Sequence, residues 1–139
     1  MSKSEYKNEA LRWFATSQDD AQAAEVLSKA RMYAHACFQC QQAAEKSVKA
    51  VWFHLGLDPW GHSVQKLLAE LPDGTSRLIT DQLVQSAATL DRFYIPTRYP
   101  NGLPDLIPSS SYFQSDADTA LFAASEIISV CRTILSENR

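Results

Sequence analysis

Two groups of side chains in this sequence have the types and spacing to do chemistry. The first is Gln41, Glu45 and Lys49, at i, i+4 and i+8. On a helix such residues stack along one edge, because side chains four apart are neighbours. They read either as a solvated ridge carrying a Glu-to-Lys pair worth a few tenths of a kcal/mol, or as the polar wall of a cleft. In the cleft reading Lys49 meets a phosphate and Gln41 offers its amide to a base or ribose. The second group is Arg98-Tyr99, inside a segment from Ile95 to Tyr112 that holds four of the six prolines, Pro96, Pro100, Pro104 and Pro108. A planar, permanently charged guanidinium suits bidentate recognition of phosphate, and a neighbouring phenol can stack on a base. The alternative is that Arg98 closes the fold by pairing with a carboxylate such as Glu45 while Tyr99 fills a gap between helices.

Other reactive residue types carry less. Cys37-Phe38-Gln39-Cys40 has the C-x-x-C spacing, but it falls within a helical pattern and no second pair follows. A structural zinc needs four ligands and a redox pair starts a helix beside a strand, so these read as structural cysteines and no metal is assigned. His62 sits between two helical segments as a cap or packing residue. His35 and His54 are too far apart along one helix to act as close ligands, and neither is given a role.

The elements that must position these residues are helical. Tyr6, Ala10, Trp13, Ala21, Ala24 and Leu27 recur at three-to-four spacing, with capping-box spacing at Ser2-Lys3-Ser4-Glu5. The polar run Thr16 to Asp20 contains no proline or glycine, so one continuous helix is expected. A second stripe runs Tyr33, Ala36, Cys40, Ala44, Val48, Val51 and Leu55, and stops at Gly56 with Pro59 beyond. A short helix is expected from Ser63 to Leu71, ending at Pro72-Asp73-Gly74, and a fourth from Arg77 to Tyr94. Proline at every fourth residue from Pro96 to Pro108 argues against helix there, and long structureless connections are usually functional or disordered. The last helix is expected to start at the capping-box spacing Ser115-x-x-Asp118. Alternating strand patterns are absent from the sequence, so the economical packing is an all-α, up-and-down bundle of four to five helices.

The totals set the outer bounds. The 139 residues suit one domain, with the proline-rich loop 95–112 as its irregular part. A formal charge of −3 does not advertise a nucleic-acid groove. The N-terminal residues lack the apolar core of a secretory signal, Ala50-Val51-Trp52-Phe53 is far short of a membrane span, and three cysteines fit a reduced, cytoplasmic setting.

Three segments together resemble the HEPN domain, a small helical module. They are Ala36-x-x-x-x-Gln41-x-Ala43-x-Glu45-Lys46-x-x-Lys49-Ala50, then His62-x-x-x-Lys66-Leu67-Leu68, then Thr97-Arg98-Tyr99-Pro100 before the last helix. The resemblance implies a four-to-five-helix homodimer with a cleft at or near the dimer interface. It also implies nucleotide binding, or partnership with a minimal nucleotidyltransferase as a toxin–antitoxin or accessory pair. Gln41, Glu45, Lys49, Arg98 and Tyr99 are its expected binding residues, and no cofactor is implied.

Some branches of that family are metal-independent ribonucleases with an Arg-x4–6-His motif. Here the positions five to seven after Arg98 are Leu103, Pro104 and Asp105, and after Arg92 they are Thr97, Arg98 and Tyr99. No histidine follows His62, so a catalytic pair would have to be assembled by the fold from Arg98 and His62. Binding is therefore the leading expectation. An RNA-cleaving toxin and a non-catalytic interaction scaffold are the alternatives.

Overall fold

The computed structural model describes residues 1–137, with the side chains of Asp73 and Ser76 left aside. Helix α1 spans Lys3–Lys29, α2 Tyr33–His54, α3 Val64–Ala69, α4 Asp73–Ser76, α5 Asp81–Asp91, α6 Pro108–Ser111 and α7 Gln114–Leu135, with a 3-10 turn at Pro100–Gly102. The four longest form an up-and-down bundle. Tyr6 meets Asp58 and Ser17 meets Ala43, so α1 and α2 run antiparallel. Gln82 and Ser86 of α5 meet Glu126 of α7, while Arg77 meets Glu137.

The first helix forms as its sequence dictates. Ser2 Oγ accepts from the Glu5 amide, and Glu5 accepts from the Ser2 amide, completing the capping box. The polar run at its middle does not break it. Ser17 turns inward and donates to the Ala43 carbonyl at 2.7 Å, and Asp20 pairs with Lys46 at 2.6 Å. Helix α2 stops at Gly56, whose φ of +75° favours a residue without Cβ. The Gly56 and Leu57 amides close onto Phe53 and Trp52, satisfying carbonyls of the last turn.

Helix α2 is the axis of the molecule. Ala36, Ala43, Ala44, Val48, Ala50 and Val51 are fully buried, their small side chains allowing α1, α3, α5 and α7 to approach. Leu67, Leu68, Leu83, Leu90, Ile127 and Ile134 complete the core around it.

Four segments differ from the sequence expectations. The segment after α3 is not only a turn, because a helical turn, α4, starts directly after Pro72. The fourth helix does not begin at Arg77. Thr80 Oγ1 caps the Leu83 amide, and the helix ends at Asp91 rather than Tyr94. The proline segment is not devoid of helix. Pro100 and Pro108 each open a single turn, where the missing amide would be unpaired anyway. The last helix is capped at Phe113, two residues earlier than Ser115, because Asp116 reaches back to accept from the Phe113 amide at 2.8 Å.

Cys37, Cys40 and Cys131 are free and buried, and burial pushes each thiol up to about 12. The native protein should leave all three unlabelled by Ellman's reagent at pH 8, and full labelling should require unfolding. A thiol whose folded pKa exceeds its unfolded value stabilises the fold below the unfolded pKa. Denaturation midpoints should therefore fall as pH rises from about 9 toward about 12.

Candidate functional site

The Gln41, Glu45 and Lys49 ridge forms as the helical spacing requires, but it faces inward. Gln41 is fully buried, and Glu45 and Lys49 are buried too. The solvated-ridge reading is thereby corrected: α1 and the segment leading to α3 lie over this edge of α2. Lys49 Nζ sits 3.2 Å from Glu45 Oε2 and 5.6 Å from the Trp13 ring centroid. Desolvation offsets much of the attraction in such a pair, yet removing one partner strands a buried charge at about 3–5 kcal/mol.

Glu45 has a second neighbour. His62 Nδ1 lies 3.4 Å from both carboxylate oxygens. The angles give a hydrogen bond to Oε2 only, leaving Oε1 buried without a hydrogen bond. The His62 side chain is nonetheless 62% exposed. The hydrogen bond made by one ring nitrogen sets the role of the other. With Nδ1 turned to Glu45, Nε2 is the nitrogen left for a ligand.

The backbone that carries His62 is clamped by residues absent from the sequence-based site. Asp91, the last residue of α5, accepts from Ser63 Oγ and the Val64 amide at 2.8 Å each, and from the Gln65 amide at 3.1 Å. It thus serves the first amides of α3, a helix to which it does not belong. Gln41 Nε2 donates to the His62 carbonyl at 2.8 Å and lies 3.4 Å from Asp91 Oδ1, while Gln42 donates to Gln41 Oε1 at 2.8 Å. Asp91 did carry a signal. A carboxylate at a helix C-terminus opposes the helix dipole and calls for another partner.

Arg98 packs against Tyr94. Its guanidinium carbon lies 4.4 Å from the Phe38 ring centroid, 4.6 Å from Tyr94 and 5.2 Å from Tyr99. Its Nε donates to the Tyr94 carbonyl at 2.8 Å. No carboxylate among the described residues lies within ion-pair distance of it, so the alternative reading, closure onto Glu45, does not hold. Glu45 is already held by Lys49 and His62. The loop behind Arg98 is fixed by Thr97, whose buried hydroxyl donates to the Phe93 carbonyl, and by Gly102. A Cβ at Gly102 would come within 3.0 Å of the Pro96 Cα. Tyr99 is half exposed.

The fold thus brings Arg98 and His62 to one aromatic ring. His62 stacks on Tyr94 with 5.2 Å between centroids and 19° between planes. Gln41, Glu45 and Lys49 lie beneath as its support. A groove of about 570 Å³ between α1 and α7, lined in part by Glu25, Cys40, Asp118 and Arg132, is a separate feature.

This helical order agrees with a known family: the HEPN domain model matches residues 10–134. The chain belongs to the HEPN domain family. The HEPN chain is 35% identical to TT1696 from Thermus thermophilus, covering 91% of this chain and 98% of that one, with a TM-score of 0.88. It is 34% identical to an HEPN domain protein, TM0613, from Thermotoga maritima, covering 91% and 99%, with a TM-score of 0.71. ST0689, an archaeal HEPN homologue, is 29% identical over 91% and 98%, with a TM-score of 0.75. No functionally curated protein matches the chain. Among the described residues, no helix of this HEPN domain is long and apolar enough to cross a membrane.

Asp91→Ala removes the acceptor for two amides and a hydroxyl. It should cost about 1–3 kcal/mol for the polar groups left unpaired, read as a lower urea midpoint. The same substitution should move the His62 ring signals in NMR spectra.

Proposed function

We propose that this HEPN protein binds the phosphate of a nucleotide, free or carried by a partner, at the surface formed by Arg98 and His62. The observation that carries the reading is the state of Arg98. Its plane is held by Phe38, Tyr94 and Tyr99 and its Nε is committed to a carbonyl. Its charge has no carboxylate partner among the described residues. The terminal Nη donors of such a guanidinium match two oxygens of a phosphate. His62, presented on the same aromatic ring, adds a donor or acceptor at Nε2.

Within this reading the expected binding residues divide by role. Arg98 contacts the anion and Tyr99 flanks it. Gln41 and Glu45 act by holding His62, and Lys49 acts by balancing the charge of Glu45. A homodimer and a nucleotidyltransferase partner, both implied by the family resemblance, belong to the same proposal.

Isothermal titration of the folded protein with ATP, GTP and their diphosphates tests it. Binding should weaken by about 10- to 150-fold in Arg98→Ala, corresponding to about 1.5–3 kcal/mol for a hydrogen bond to a charged group. No heat with any of these ligands would remove the reading.

One observation favours a second reading, metal-independent RNA cleavage. The Glu45 carboxylate holds Nδ1 of an exposed His62, so Nε2 is oriented as a general base for a 2′-hydroxyl while Arg98 steadies the phosphorane charge. The P–O5′ bond breaks as the 2′-oxygen attacks, so RNA incubated with the protein in EDTA should yield 2′,3′-cyclic phosphate and 5′-hydroxyl ends. His62→Ala should slow cleavage by about 10²- to 10⁴-fold. Intact RNA after incubation with the wild-type protein would dispose of this second reading.

A further inference from the structure

Trp60 is 84% exposed, the most exposed large apolar side chain described in the molecule. Trp13 and Trp52 are half-buried and place their indole N–H groups on Glu9 and on the Leu67 carbonyl. Trp60 makes no such bond among the described residues. An isolated surface apolar residue is ordinary. The position of this one is not, because it stands two residues before His62.

The main chain under Trp60 is fixed on both sides. Before it, the Gly56 and Leu57 amides are tied to the end of α2, and Asp58 accepts from the Tyr6 hydroxyl at 3.1 Å. After it, Gly61 takes a φ of +88°, which a side chain would strain, and the next carbonyl, of His62, is held by Gln41. Two residues of chain span at most about 7 Å between Cα atoms. The Cα of this outward-facing tryptophan, anchored at both flanks, therefore lies within about 7 Å of the Cα that carries the exposed imidazole. That imidazole shares the Tyr94 ring with the guanidinium of Arg98.

A flat π face beside a fixed anion receptor is how base-carrying phosphates are held without reading the base sequence. We propose that Trp60 is the base-stacking residue of the site, so that its ligand is a phosphate bearing an unpaired nucleobase rather than a bare phosphate. The proposal rests on the reading of Arg98 and His62 as the anion site. A mononucleotide and a single-stranded RNA share the required chemistry, and the length of the ligand separates them.

The test titrates the full chain with inorganic tripolyphosphate, ATP, GTP and an unpaired oligouridylate, following indole fluorescence and heat. Nucleobase ligands should bind more tightly than tripolyphosphate and change the emission of the exposed indole. Trp60→Ala should erase that preference, an effect of about 5- to 150-fold for one base stacked on an aromatic side chain. Trp60→Phe should retain part of it. A tighter oligouridylate than ATP points to single-stranded RNA as the source, and the reverse to a mononucleotide. Equal affinity for tripolyphosphate and ATP, unaffected by Trp60→Ala, overturns the stacking role and leaves the anion site standing. Absence of binding by all four ligands overturns both. A changed oligomeric mass for Trp60→Ala in size-exclusion chromatography assigns the indole to a subunit contact and overturns the stacking role.

Discussion

The candidate site depends on one carboxylate placed where its own helix does not want it. Asp91 ends α5, where the dipole disfavours negative charge, and its two oxygens are taken by Ser63, Val64, Gln65 and the nearby Gln41 amide. The amides of α3 that would otherwise lack partners are satisfied from across the bundle. This junction fixes the angle at which the chain enters α3. With Gln41 on the preceding carbonyl, it also fixes the backbone of His62. The connection between Gly56 and α3 is held besides by the Tyr6–Asp58 contact and by Gln41 on the His62 carbonyl.

A second constraint lies directly below. Glu45 is a buried acid, and an unpaired buried charge is costly. Lys49, one turn further along α2, supplies a counter-charge at 3.2 Å and is itself covered by Trp13. His62 Nδ1 supplies the other contact. The three residues form a chain from the interior to the surface in which only the last member is open to ligand. Arg98 packs on the same Tyr94 ring, its orientation set by three aromatic rings and a carbonyl. The site consists of two polar groups, each fixed by packing, on one shared phenol ring.

The helices of this site were legible in the sequence because their signals are local. Apolar spacing marked α1, α2 and α7, Ser2 and Glu5 marked a start, and Gly56 marked a stop. Two helix starts were missed although their caps are local, each made between residues three apart. Thr80 before Asp81 is an N-cap signal, which the helical spacing drawn from Arg77 overran. The start of α7 moved because Asp116 serves Phe113, an outcome that the equally good spacing of Ser115 and Asp118 concealed. The prolines marked an irregular segment correctly, but Pro100 and Pro108 sit at first-turn positions, which proline tolerates.

By itself, the sequence determined the all-helical class, the order of the long helices, the resemblance to the HEPN family and the alignment of Gln41, Glu45 and Lys49 on one edge. Each follows from periodicity or from short-range spacing. Only the tertiary structure decided that this edge is buried, that Glu45 belongs to Lys49 and His62 rather than to Arg98, and that Arg98 and His62 meet at Tyr94. Burial and pairing depend on what the other helices place opposite a residue. Asp91 and His62 are 29 positions apart in the chain, and Arg98 and Phe38 are 60 apart. No local pattern carries that information, because the free energy that selects it arises only when the bundle closes.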